Sequence, residues 1–239
     1  MACDVSEDSV QSRLALARAA LGAVETRMGA DRAVWDTPAL PLTESLRPLL
    51  PRGLRRGHVV AVEGSTSLLL ALAGEASREG AWTAMVGMPS VGVLAAAGRG
   101  IDLARLALIP QPGVQAPAVL GACIDGVDII VIGRGLALSE ADRRRLAARA
   151  RERGCILLVQ GGWPAAHEVL TVERSRWTGL GAGEGRLRHR EITVAVTGRS
   201  AGATGRVMMT LDADHHALPV RTQSPHQAAV DRALGTGAA

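Results

Sequence analysis

Short apolar runs alternate with segments of helical periodicity through the middle of the chain. The apolar runs are bounded by turn residues and are too short for buried helices, so they predict strands. These strands are predicted at residues 59–63, 82–88, 106–109, 128–132 and 155–159. The segments between them predict helices at residues 65–80, 91–98, 116–124 and 139–153. Strands that are apolar on both faces and separated by helices indicate an α/β fold, with a mainly parallel sheet flanked by helices.

After residue 159 the pattern changes to an alternation of apolar and polar residues, with no room for helices between the runs. The runs at 169–178, 188–197 and 206–211 predict antiparallel hairpins, because their connections are rich in glycine. Beyond residue 214 the apolar density falls. We therefore expect a flexible carboxy-terminal tail over 215–239, with at most a short helix.

The amino-terminal segment, residues 1–28, has the pattern of one amphipathic helix. Its apolar stripe includes Val10, Leu14, Leu21 and Val24. A lone helix does not keep such a stripe in water, so the stripe either folds onto its own core or docks on a partner. Residues 29–57 contain four prolines among leucine-rich pieces and predict a linker, which leaves residues 58–214 as the core.

The composition excludes several mechanisms. All 27 basic residues are Arg, and the chain contains no Lys, Phe, Tyr or Asn. Without Lys there is no Schiff-base chemistry, no pyridoxal-phosphate anchor and no standard P-loop. The three cysteines are far apart without metal-type spacing, and no signal-peptide pattern or apolar stretch of membrane-spanning length is present. We expect a cytoplasmic protein with reduced thiols.

The turn after the first predicted strand is Gly64-Ser65-Thr66-Ser67, the position at which α/β nucleotide enzymes hold phosphate. A working P-loop needs a Lys on the phosphates and a hydroxyl group on magnesium. Here the loop is short, and the following helix begins with three leucines. The sequence therefore predicts a degenerate P-loop, with no cofactor, no metal and no catalytic residue.

Three segments resemble RecA-like recombinases. Residues 50–64 (LPRGLRRGHVVAVEG) resemble the lead-in to their ATP-binding strand, and residues 127–132 (VDIIVI) resemble their Walker B strand. Residues 100–103 (GIDL), with Gln111 and Pro112, are similar to the segment around their third strand. With its added amino-terminal helix and reduced nucleotide motif, the chain resembles the ImuA-prime proteins of actinobacteria, which are accessory factors of the damage-inducible mutasome.

The resemblance implies a RecA-like core without nucleotide chemistry. Ser67 and Leu68 stand in place of the P-loop Lys and Thr, and Gly133 stands in place of the Walker B carboxylate. Met88 and Pro89 stand near the position of the catalytic Glu. The two DNA-contacting loops of the family correspond to the reduced loops at 133–136 and 161–164.

The function implied by the resemblance is that of a non-enzymatic scaffold in DNA repair, acting in SOS-induced translesion synthesis. Its expected partners are an ImuB-type Y-family-like protein, RecA and an error-prone replicative-type polymerase. Such a protein is expected in the cytoplasm, and on the nucleoid when DNA is damaged.

Two arginine clusters are candidate contact surfaces. The first lies on the helix at 139–153 and includes Arg144 and Arg151. The second lies on the first hairpin, where strand alternation predicts Arg174 and Arg176 on one face, and Glu173 and Trp177 on the other. Three alternatives stay open for these clusters: a solvated surface, a protein interface, and a salt-sensitive DNA-binding module. An ATPase with arginine-based phosphate binding is a further alternative.

Two weaker motifs have simpler explanations. Residues 198–202 match the G-x-S-x-G pattern of hydrolases, but a strand is predicted after them, whereas a nucleophile elbow turns into a helix. We therefore expect a hairpin turn there. His215 and His216 lack supporting ligands beyond nearby aspartates, and we expect them in the solvated tail.

Overall fold

The computed structural model describes residues 38–180, 185–198, 205–212, 217–218 and 222–223. All of these residues belong to one compact unit, which begins at Pro38. The predicted amino-terminal helix, with Val10, Leu14, Leu21 and Val24, lies outside the described residues. So do His215 and His216.

The described chain contains four α-helices and ten strands. The helices are α1 (Thr66–Arg78), α2 (Val93–Ala97), α3 (Ala116–Gly126) and α4 (Glu140–Arg153). The first five strands are β1 (Val59–Glu63), β2 (Thr83–Val86), β3 (Leu106–Ile109), β4 (Ile129–Ile132) and β5 (Ile156–Gln160). The others are β6 (Glu168–Leu180), β7 (Gly185–Gly198), β8 (Gly205–Asp212), β9 (Ala217–Leu218) and β10 (Thr222–Gln223). None of the described helices is long and apolar enough to cross a bilayer.

The strands form a single sheet in the order β10-β8-β7-β6-β1-β5-β4-β2-β3, with β9 also paired to β8. The pairs formed among β1 to β6 are parallel, and the pairs β6–β7, β7–β8, β8–β9 and β8–β10 are antiparallel. The predicted α/β class, with helices on a mainly parallel sheet followed by antiparallel hairpins, is confirmed. The tail differs from the prediction, because β9 and β10 extend the sheet where the sequence predicted no strand.

The parallel strands separate two apolar layers, because successive side chains point to opposite faces. On β4, Ile129 and Val131 join the layer packed against α1, whereas Ile130 and Ile132 join the layer of α3 and α4. On β5 the same alternation places Ile156 in the layer packed against α1 and Leu157 in the layer of α3 and α4. We call these the α1 side and the α4 side of the sheet.

The segment from Pro38 to Gly57, predicted as part of a linker, packs into the core on the α1 side. It contains one 3₁₀ turn (Glu44–Leu46) and a backbone bridge between Leu40 and Leu54. Its buried leucines are Leu42, Leu46, Leu49, Leu50 and Leu54. From Pro38 onward this segment therefore belongs to the same compact unit as the sheet.

Local signals explain the helix ends. Ser139 and Asp142 form a reciprocal capping box at the start of α4, and Gly154 ends the helix in the left-handed conformation at φ 70°. On α1, the Ser65 hydroxyl caps the backbone N–H of Leu68. These caps fix where each helix begins relative to the strand ends.

Among the residues that the structure describes, the antiparallel part, β6 to β8, is covered on one face only. Leu170, Ile192 and Val207 are buried in the α1-side layer. The opposite face, on the α4 side, carries exposed or half-buried residues that include Arg174, Arg176, Glu191, Thr193, Arg206 and Met208. An antiparallel sheet tolerates such one-sided solvation, whereas the inner parallel strands require cover on both faces.

Candidate functional site at the carboxyl edge of the sheet

The loop after β1 holds its predicted position at the start of α1. Gly64 has φ +84°, and a Cβ atom on it would lie 3.2 Å from both the Cβ and the carbonyl oxygen of Val172. Both the backbone conformation and the close contact therefore require glycine at this position. Ser65 is buried and is occupied with capping α1. Thr66 and Ser67 are half-buried on the first turn.

The three consecutive leucines on the first turns of α1 are core residues. Leu68 and Leu69 are fully buried, and Leu70 is 3% exposed. All three belong to the α1-side layer. They stabilise the contact between α1 and the sheet, and no cation is available from these positions to hold a phosphate.

Arg190 supplies a cation to this loop from a distant part of the chain. From β7, its Nη1 donates to Ser65 Oγ over 3.1 Å, and its Nε donates to Ser175 Oγ over 2.8 Å. The guanidinium also lies 5.6 Å from the centre of the Trp177 ring. Burial lowers the pKa of Arg190. Sequence reasoning missed this contact, because Arg190 lies 125 residues from Ser65.

The end of β4 has no room for a side chain. Gly133 is buried, and a Cβ atom on it would lie 2.0 Å from the carbonyl oxygen of Gly87 and 2.7 Å from Met88 Cγ. The Gly133 N–H donates to the Val86 carbonyl over 2.8 Å, which holds the two strand ends together. The backbone therefore excludes a carboxylate at this position, and buried Met88 fills the space beside it.

Gln160 connects the three loops that follow β1, β4 and β5. Its Nε2 donates to Thr66 Oγ1 over 3.0 Å, and its Oε1 accepts from the Arg134 backbone N–H over 3.3 Å. Sequence reasoning did not single out this residue. Its only sequence signal is a polar residue at the carboxyl end of a buried parallel strand, which is where ligand sites of α/β proteins occur.

A cleft of about 370 Å³ opens beside Gln160 on the α4 side of the sheet. Its walls are the predicted reduced loops, 133–136 and 161–164, together with α4 and the ends of β1, β4 and β5. The polar lining residues include Glu63, Arg134, Arg143 and Gln160, and the apolar ones include Leu136, Leu138, Val159 and Trp163. We call this feature the carboxyl-edge cleft.

Trp163 and Arg143 form one wall of the cleft. The Arg143 guanidinium lies 5.3 Å from the centre of the Trp163 ring, and its Nη1 donates to the Gly162 carbonyl over 3.2 Å. Trp163 is 7% exposed, and its buried Nε1–H has no acceptor among the described residues. A buried indole donor without a partner is uncommon in folded proteins.

The candidate arginines of both predicted surfaces lie on the α4 side of the sheet. Arg144 and Arg151 are exposed on α4, and Arg144 pairs with Glu140 over 2.8 Å. Arg174 and Arg176 lie on the open α4-side face, whereas Trp177 lies with Arg190 on the α1 side. The predicted separation of the two arginines from Trp177 is therefore confirmed by the register.

The prediction that Glu173 shares a face with Trp177 is wrong. The pairing of β6 with β7 shifts by one residue between Val172 and Arg174, which places Glu173 in a bulge. Its carboxylate accepts two hydrogen bonds from Arg206, at 2.7 and 3.1 Å. This arginine lowers the pKa of Glu173.

Comparison with known proteins places this site in a family. The family model described as "MT3502 N-terminal domain" matches residues 48–165. The chain is 37% identical over 164 residues to the uncharacterised protein Rv3395c of Mycobacterium tuberculosis (strain ATCC 25618 / H37Rv), an alignment that covers 68% of this chain and 74% of that protein. The chain belongs to this family. The range matched by the family model contains β1 to β5 and every wall of the carboxyl-edge cleft, whereas Arg174, Arg176, Trp177 and Arg190 lie beyond it.

Proposed function

We propose that this chain is a RecA-like accessory protein without nucleotide chemistry, which serves as a scaffold in damage-induced translesion DNA synthesis. In this proposal it binds an ImuB-type Y-family-like protein, and through it an error-prone polymerase; RecA is a further partner. The membership of this family by itself names no partner. The pathway rests on the sequence resemblance, and the absence of catalysis rests on the geometry of the carboxyl edge.

The observation that carries the proposal is the contact between Gly133 and Gly87. RecA-like enzymes need a carboxylate at the end of β4 to hold magnesium, and here a single Cβ atom would meet backbone at 2.0 Å. The P-loop leucines are committed to the core in the same way. Position 133 and the first turns of α1 are therefore filled by core contacts, which supports a role in binding rather than hydrolysis.

The surfaces available for a partner lie mainly on the α4 side. The exposed arginines of α4 and the open face of β6 to β8 are on this side of the sheet. Exposed arginine is enriched at protein interfaces because its planar fork pairs with carboxylates. The amino-terminal helix remains the other proposed contact, with Val10, Leu14, Leu21 and Val24 as its apolar stripe.

The proposal is tested by a pull-down of an ImuB-type protein with the full chain and with the variant Arg144→Glu/Arg151→Glu. We expect this variant to lose most of the binding. The matched control, Arg47→Glu/Arg52→Glu, changes two exposed arginines of the segment that packs on the α1 side, and should bind normally. Full binding by a chain that carries both charge reversals and lacks residues 1–28 would contradict the proposed surfaces.

A divergent ATPase is the second candidate, and one observation favours it: Arg190 places a cation at the first turn of α1. Thermal melting with and without magnesium-ATP separates the two candidates. A nucleotide present at one hundred times its Kd adds about 2.7 kcal/mol of stability. We expect no shift in the melting temperature, and a shift of several degrees that Arg190→Gln abolishes would establish the ATPase alternative.

A DNA-binding module is the third candidate, favoured by the exposed arginines of α4. Fluorescence anisotropy with single-stranded and duplex DNA at two salt concentrations tests it. Micromolar affinity with a steep salt dependence would support DNA binding, because each phosphate contact releases counterions. The scaffold proposal expects no such binding.

A further inference from the structure

We propose that the carboxyl-edge cleft binds a glutamate or aspartate side chain from an acidic peptide segment of a partner protein. This inference rests on the cleft and on the charge around it, and it holds whether or not the partner belongs to translesion synthesis.

Two guanidinium groups line the cleft. The Arg134 side chain is exposed and has no acceptor within the part of the chain that the structure describes. Arg143 uses one N–H on the Gly162 carbonyl and is held in place by its contact with the Trp163 ring. Its other N–H groups are available to a ligand. Guanidinium forks match the two oxygens of a carboxylate and form charge-assisted hydrogen bonds with them.

The two arginines contribute only donors to the cleft, because a guanidinium has five N–H groups and no acceptor. The cleft is therefore complementary to an acceptor-only group. A carboxylate is such a group.

The remaining lining favours a peptide over a nucleic acid. Arg143 covers a face of the Trp163 ring, and Trp163 itself is buried, so the ring offers no platform for base stacking. Glu63, the acidic residue of the lining, accepts a hydrogen bond from the Thr171 hydroxyl over 3.3 Å. Leu136 and Val159 give apolar contact for the methylene groups of an acidic side chain. The volume of about 370 Å³ lies within the usual range of small-ligand sites, roughly 300–1,000 Å³.

The charge around the cleft supports the same partner chemistry. The exposed arginines of α4, and Arg174 and Arg176 on β6, lie on the same side of the sheet as the cleft. A peptide with several carboxylates therefore meets positive charge beyond the cleft itself. This complementarity steers association and fixes orientation more than it adds affinity.

The test is an NMR titration of the ¹⁵N-labelled full chain with acetyl-Leu-Glu-Glu-Leu-amide, with acetyl-Leu-Gln-Gln-Leu-amide as the uncharged control. We expect the Trp163 indole N–H signal and the Gly135 and Gly161 amide signals to shift with the acidic peptide only. Arg134→Gln should weaken binding about tenfold, the usual effect of losing a hydrogen bond to a charged group. The matched control, Arg145→Gln, removes an exposed arginine of α4 that does not line the cleft, and should bind as the parent does.

Three outcomes would overturn the proposal. One is an unmoved Trp163 indole signal, and another is equal affinity of Arg134→Gln and Arg145→Gln for the acidic peptide. The third is a shift of the same signals by octathymidylate without a shift by the acidic peptide, which would assign the cleft to nucleic acid. The amide spectra of both variants check that each is folded.

Discussion

Arg190 and Ser65 join the antiparallel part of the sheet to the first turn of α1 through a hydrogen bond of 3.1 Å. The Ser65 hydroxyl also accepts from the Leu68 N–H at 3.2 Å, so one oxygen serves both the helix cap and the contact with β7. The Ser65 hydroxyl lies at the position where α/β nucleotide enzymes hold phosphate. Here it is engaged in hydrogen bonds within the protein itself.

A double-mutant cycle measures this contact. Ser65→Ala should lower the free energy of unfolding by about 1–2 kcal/mol, because it removes a helix cap. Its coupling with Arg190→Gln should be about 0.5–1.5 kcal/mol, the usual net value of one hydrogen bond. Urea denaturation of the four proteins gives both numbers. Arg206 pairs with Glu173, so Arg206→Gln should be additive with Ser65→Ala. Additivity of Arg190→Gln with Ser65→Ala would contradict the contact.

Gly133 and Gly126 form a matched pair for testing the packing at the end of β4. Gly133→Ala should lower the free energy of unfolding by about 1–3 kcal/mol, because its Cβ meets the Gly87 carbonyl oxygen. Gly126→Ala, at the end of α3, meets nothing within 4 Å and should leave stability unchanged or raise it by up to about 1 kcal/mol. Equal urea midpoints for the two variants would show that the strand ends separate easily.

The thiol of Cys155 should be inert in the folded protein. Burial, with the nearby Asp128 as a smaller cause, raises its pKa to about 12, so the thiolate fraction at pH 8 is on the order of 10⁻⁴. In the variant Cys3→Ser/Cys123→Ser, we expect no reaction with Ellman's reagent in native buffer and rapid reaction in urea. Rapid native labelling would reveal local opening where α4 joins β5.

Asp125 should contribute stability that depends on pH. Hydrogen bonds from Arg149, with a smaller effect of Arg153, lower its pKa below the ordinary 3.8. A depressed carboxylate pKa stabilises the fold above the unfolded value and loses that effect as the pH falls through the folded value. The difference in urea midpoint between the parent and Asp125→Asn should therefore be present at pH 6 and shrink below about pH 4. Because the pair is exposed, 1 M NaCl should also reduce the difference at pH 6; a difference that is independent of both pH and salt would assign another role to Asp125.

Most elements of the fold could be predicted from local patterns in the sequence. The strand at 59–63 and the strand at 106–109 match their predicted bounds, because each is a short apolar run between turn residues. The helix α4 could be predicted equally well, because Ser139 is a strong signal for the start of a helix and Gly154 is a strong signal for its end. The short strands β9 and β10 were not predictable, because two-residue strands arise from pairing with β8 and have no pattern of their own.

The site was predictable in position but not in its contacts. The loops after β1, β4 and β5 could be located, because parallel strands bring their carboxyl ends to one edge. The link from Gln160 to Thr66 spans 94 residues, and the stacking of His58 on His167 at the opposite edge spans 109, so no local pattern reports them. The bulge at Glu173 shows the same limit, because one inserted residue reverses which face a side chain occupies.

The fit between Gly133 and the strand end at Gly87 has an evolutionary consequence. One codon change at position 133 introduces a carboxylate only at the expense of the packing between two central strands, since any side chain there displaces backbone. A larger residue at position 133 would first need a compensating shift of the chain around Gly87 and Met88. The close contact therefore constrains substitution at this strand end more tightly than on the exposed surface of the protein.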